Sequence, residues 1–146
     1  MSEKPFDRLT CSVTFFQVRS SQEKFRFIAE RCRHHFQNKE PFLFFVEDEK
    51  GETFLDELLW KYPENGFLPH KIINAPEDVP IAITKTKRNL SSAKVAFNLC
   101  PTPLLLPGFR KIYDFEDSSS PNKQALSGMR FAAYKQVGYL LSTIPK

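Results

Sequence analysis

A layered α/β domain of the Rossmann-like kind, with a mainly parallel central sheet and helices on both faces, is the fold this sequence predicts. The first reason is alternation: strand-like and helix-like segments succeed one another at spacings that call for parallel strands joined by right-handed crossovers. The second is the run PFLFFV at residues 41–46, apolar throughout, as in a strand covered on both faces. The third is size: 146 residues with 41% hydrophobic content and 15 phenylalanines suit a single core. The expected organisation is one domain over residues 1–146, with residues 1–11 as a flexible or extended N-terminus.

The elements follow in order. Residues 12–18 (SVTFFQV) are rich in β-branched and aromatic side chains and read as a strand. Ser20 or Ser21 can cap the next helix, with Glu23 in its first turn. That helix runs to Gln37 with Phe25, Ile28, Ala29, Cys32 and Phe36 on one face. After the strand at 41–46 comes an acidic turn, EDEKGE. An amphipathic helix then carries Phe54, Leu55, Leu58 and Leu59 and ends at residues 60–62. Pro63, Asn65 and Gly66 are turn formers, and FLPH at 67–70 returns as an extended segment. Residues 71–73, 80–84 and 95–99 read as short strands, 104–106 as a short helix or loop, and 110–115 as another strand. Residues 118–121 form a turn, and Asn122 can cap a last helix running to Val137 and closed by Gly138.

Several function classes are excluded by what is missing. No run of 18 apolar residues exists to span a membrane, and the N-terminus has no apolar signal region. Cys11, Cys32 and Cys100 are too widely spaced for a disulfide framework or a zinc knuckle, and read as buried thiols of a cytoplasmic protein. The glycines at 51, 66, 108, 128 and 138 make no phosphate-cradling turn. Glu47, Asp48 and Glu49 read as a helix-entry charge cluster and not as a metal site. His34 and His35, adjacent on a helix, are expected to point apart. No nucleophile, base and orienting group occur in a local catalytic signature. No catalysis, cofactor or metal is therefore expected.

Binding is what remains. Trp60, Phe67 and Pro69 fall around one turn, and either form a shallow pocket for a partner's anchor residue or plug the end of the core. All 17 Asp and Glu precede residue 118, so Lys123, Arg130, Lys135 and Lys146 carry the net charge of +4. On the last helix Lys123, Ser127, Arg130 and Tyr134 form one stripe, with Phe131 just beyond it. Leu126, Met129, Ala133 and Val137 form a neighbouring apolar stripe expected to pack on the sheet. Such a surface suits a ligand combining carboxylates with an apolar anchor. It is also what an ordinary solvated helix looks like.

EDEK at residues 47–50, LDELLW at 55–60 and FLPH at 67–70, in that order, resemble the chi subunit of bacterial DNA polymerase III holoenzyme. FRFIAERC at 25–32 resembles that family's first helix, and AAYKQVGYLLST at 132–143 its closing helix and exit. The resemblance implies a non-catalytic subunit on the clamp-loader side of the replicase. It implies binding to the acidic, phenylalanine-ended C-terminal tail of single-stranded DNA-binding protein. It further implies a small psi subunit or the clamp loader as partner, an accessory helicase as another, and DNA reached mostly indirectly. The tail-site roles carry onto Trp60, Phe67 and Pro69, and onto Lys123, Arg130, Phe131 and Tyr134. The chain departs from the family at Gly128, where an arginine is usual, and at Phe131, commonly a tyrosine. Direct nucleic-acid binding, or a helicase-associated accessory module, is the alternative.

Overall fold

A computed structural model describes residues 11–61 and 68–145. Phe67 and residues 1–10 of the expected N-terminal extension lie outside the described residues. The chain order is β1 (Ser12–Val18), α1 (Ser21–Gln37), β2 (Phe42–Phe45), α2 (Glu49–Lys61), β3 (Lys71–Ile72), β4 (Ile81–Thr84), β5 (Val95–Asn98), β6 (Lys111–Asp117), α3 (Pro121–Gln136) and β7 (Leu140–Ile144). Among the described residues the strands form one 7-stranded sheet in the order β3-β4-β2-β5-β6-β1-β7. Every pairing is parallel.

The pleat of β2 shows why an all-apolar strand is needed. Phe42 and Phe44 face a layer containing Phe16, Phe97, Ile28 and Leu55, whereas Leu43 and Phe45 face one containing Phe15, Ala96, Ile112 and Tyr134. Side chains alternate across a strand, so burial on both faces leaves no position for a polar residue. The helices divide accordingly. α1 and α2 lie over the first layer and α3 over the second. Handedness accounts for this: β1 to β2 and β2 to β3 step toward one sheet edge, while β6 to β7 steps toward the other. Right-handed crossovers in opposite directions fall on opposite faces.

Local chemistry sets the helix starts. Ser20 Oγ accepts from the Glu23 N–H at 3.2 Å, and Ser120 Oγ accepts from the Lys123 N–H at 3.1 Å. The cap of α3 is thus Ser120 and not the expected Asn122, because Pro121 has a preset φ and no N–H and belongs inside the first turn. Asp48 Oδ1 accepts from the Gly51 N–H at 2.9 Å, so the acidic cluster does serve helix entry. Gly51 is needed for clearance, since a Cβ there would stand 3.0 Å from Val46 Cβ. Strand β7 was not expected. It lies at the sheet edge with mostly exposed side chains, so its sequence lacks the apolar alternation that marks a covered strand.

Candidate functional site

Adjacent strands β1 and β6 send α1 and α3 to opposite faces, which opens a crevice at the carboxyl edge of the sheet. Open α/β sheets hold their ligands at such switch points. Here a cleft of about 490 Å³ occupies the place. Its apolar wall includes Phe25 and Ile28 of α1, Phe54 and Leu55 of α2, and Leu126 of α3. Phe25 and Phe54 pack ring to ring at 5.5 Å, and Phe54 is 54% exposed. The amino-terminal turns of α1, α2 and α3 all border the cleft, and one N–H of each is already capped by Ser20, Asp48 or Ser120. The helix dipoles favour an anion there, opposed by Glu47 and Asp48 in the same lining. Lys123, exposed in the first turn of α3, adds a cation.

The carboxylates around the cleft mostly have partners within the protein. Asp117 pairs with Lys24 at 2.8 Å. Burial raises the Asp117 carboxyl, but hydrogen bonds from Lys24 and Ser119 outweigh it and leave the group below its ordinary range. Asp114 is fully enclosed. Its oxygens accept from Arg130 Nε at 3.1 and 3.3 Å, Tyr134 Oη at 2.8 Å, Asn98 Nδ2 at 3.1 Å and the Phe115 N–H at 2.7 Å. Burial dominates and leaves the Asp114 carboxyl above its ordinary range, although Arg130, Tyr134 and Asn98 offset part of the effect. All of these groups donate, an arrangement that the ionised carboxylate alone satisfies in full.

This network revises the expected role of α3. Ser127, Arg130 and Tyr134 face the sheet and are buried, while Met129 of the supposed packing stripe is 67% exposed. The guanidinium of Arg130 also donates to Pro101 O at 3.2 Å and Phe115 O at 2.9 Å. Tyr134 Oη accepts from the Leu104 N–H at 3.0 Å. Helical periodicity places residues on one stripe without saying which stripe turns inward. Asp114, far away in sequence, decides it here. Phe131 is half-buried against Phe15, with centroids 5.2 Å apart.

Trp60 stands elsewhere. Its indole is 53% exposed at the end of α2 and lies on the ring of His70 at 4.4 Å. His70 is locked in place: Nδ1 lies 2.6 Å from Leu68 O, and Nε2 lies 3.1 Å from Asp56 O and 3.0 Å from Asp56 Oδ1. Pro69 is half-buried beside it. The alternative that Trp60 plugs the core is thereby overturned. The single notch joining Trp60 to α3 is not formed either. α2 packs on β3 and β4, α3 packs on β6 and β7 from the opposite face, and β2 and β5 intervene. Three strand spacings alone amount to about 14 Å.

The sequence reading missed the cleft because Phe25 and Phe54 sit at helical spacing with true core residues. Their half-exposed state depends on where the helix ends meet. The histidines also differ from expectation, since His34 and His35 do approach a common point. The three cysteines are free and buried, as expected. Burial pushes the Cys11 thiol up to about 11 and that of Cys32 up to about 12, which makes them poor nucleophiles.

The fold defines a parallel α/β domain with an open cleft at the carboxyl edge of its sheet, and the sequence carries no glycine-rich phosphate loop. A family model described as DNA polymerase III chi subunit, HolC, matches residues 11–142. The chain belongs to that family, whose members are accessory subunits of DNA polymerase III acting in DNA replication. It is also 28% identical over 120 residues to DNA polymerase III subunit chi of Escherichia coli (strain K12), covering 80% of this chain and 81% of that protein. None of the helices is long and apolar enough to cross a membrane among the described residues.

Proposed function

We propose that this protein links the replicase to single-stranded DNA-binding protein by holding that protein's acidic, phenylalanine-ended tail in the carboxyl-edge cleft. The observation that carries the reading is the combination found there: an apolar wall of Phe25, Phe54 and Leu126 beside Lys123 and three helix amino termini. The tail's terminal ring enters against Phe25 and Phe54, and its carboxylates meet Lys123 and the helix ends. Arg130, Tyr134 and Phe131 act by positioning α3. Family membership supports a place in the replicase, and the tail as ligand is what the resemblance of the sequence implies.

Trp60, with Pro69 beside it, supports a second contact on the other face. A wide, half-exposed indole immobilised on His70 has the character of an interface anchor, and its partner is the psi or clamp-loader side of the replicase. Direct DNA binding is the weaker reading. With Arg130 turned inward, α3 offers the solvent Lys123 and Lys135, far short of the roughly 6–10 phosphate contacts of a strong backbone binder.

The test is titration of a fluorescent tail peptide. Lys123→Ala and Phe54→Ala should each weaken binding by about 1–2 kcal/mol, while Trp60→Ala leaves it intact. A loss in Trp60→Ala alone would move the tail to the other face, and no loss in any of the three would remove the reading.

A further inference from the structure

At the carboxyl end of α1, on the side of the molecule away from the cleft, His34, His35 and Glu40 bring their ligand atoms within 4.8 Å of one another. The chain reversal that permits this is built in. Lys39 takes a left-handed φ of 58°, and the Glu40 N–H donates to His35 O at 2.9 Å. Glu40 is thereby folded back onto the histidine five positions earlier, with His35 Nδ1 at 2.6 Å from Glu40 Oε1. The His35 ring is fixed on its other side: it stacks on Phe42 at 5.1 Å, and Nε2 lies 2.7 Å from Tyr113 Oη.

We propose that His34, His35 and Glu40 form a binding site for a divalent transition ion of the zinc class. Two imidazoles and a carboxylate are a ligand set such ions favour, and the imidazoles disfavour magnesium and calcium. For Nδ1 of His35 to coordinate, Nε2 must carry the proton, and Tyr113 Oη stands where it accepts that N–H. An oriented partner on the far ring nitrogen is the usual support of a metal-bound histidine. Bond lengths of about 2.0–2.1 Å put tetrahedral ligand atoms about 3.4 Å apart, so an adjustment of about 1 Å is needed. His34 is exposed and Glu40 half-exposed, which leaves both free to make it. Glu40 also borders a groove of about 760 Å³ lined by Phe36, Val79 and Pro80, which leaves room for water or a small anion as fourth ligand. Arg31 and Lys111 lie 5.8 and 5.7 Å from the centre of the Tyr113 ring and oppose the ion's charge, setting a limit on its affinity.

The site is tested with the tag-free full chain titrated with Zn²⁺ by calorimetry and with Co²⁺ by visible absorption. One ion per chain is expected, with the intense d–d bands of a four-coordinate cobalt. Affinity should fall at least about 10-fold in His34→Ala and in Glu40→Gln, and rise in Arg31→Gln. His34 is exposed, so its variant leaves the fold intact and decides the matter alone. No saturable binding, cobalt bands of the hydrated ion only, or a His34→Ala protein that binds as tightly as the wild type would each overturn the proposal.

Discussion

Arg130 on α3 and Trp60 on α2 look equivalent in the sequence, each a recognition-type side chain on a helix carrying an apolar stripe. In the fold they are opposites. Arg130 is 7% exposed and grips Asp114, whereas Trp60 is 53% exposed and rests on His70. The one fixes the architecture and the other decorates it. A cation earns no place in a binding surface merely by occurring on a helix with aromatic neighbours. What decides is whether a buried carboxylate elsewhere in the chain claims it first.

The largest expected effect comes from breaking the buried half of this comparison. Arg130→Ala leaves Asp114 as an uncompensated interior charge and should cost about 3–5 kcal/mol in urea unfolding. If Arg130 were instead a surface contact, stability would hold and only partner binding would fall. Tyr134→Phe removes one hydroxyl that serves Asp114 and the Leu104 N–H. A loss of about 1–3 kcal/mol is expected by the same measurement.

Acid should sharpen the contrast further. Asp117 is held below the ordinary carboxylate range, so its pairing with Lys24 stabilises the fold above that range and is lost as pH falls through the depressed value. The urea midpoint of the wild type should exceed that of Asp117→Asn at about pH 6 and converge on it only as pH falls below the depressed value. The smallest effect belongs to the exposed half. Trp60→Ala should change stability by no more than about 0.5 kcal/mol, since it removes an indole half in water. The same variant should lose retention by clamp-loader components in a native pull-down, and a variant retained as well as wild type would count against Trp60 as an anchor.

Much of the fold was legible because its signals are local. The strand at Ser12–Val18 and the helix at Ser21–Gln37 follow from β-branched residues, a capping serine and apolar spacing, and both match the observed bounds. β7 was not legible, since an uncovered edge strand has no pattern to display. Of the site, Trp60 beside Pro69 was left between a shallow pocket and a core plug, and its separation from α3 depends on strand order, which no local motif encodes. Arg130 and Tyr134 were placed on the correct stripe and the wrong side, because Asp114 lies in a segment that reads only as a strand. His34 and His35 were expected to diverge, and the left-handed turn at Lys39 that brings Glu40 back to His35 has no glycine to announce it.

Strand β1 lies between β6 and β7, so Ser12 is registered against Lys111 on one side and Leu140 on the other. β1 therefore finds its sheet neighbours only once β6 and β7, far along the chain, have been made, and until then both of its hydrogen-bonding edges are bare. Such distant pairing slows folding and exposes nascent chains to aggregation. Without β7, β1 would stay open on one side, so loss of that strand should harm solubility far more than its mostly exposed side chains would suggest.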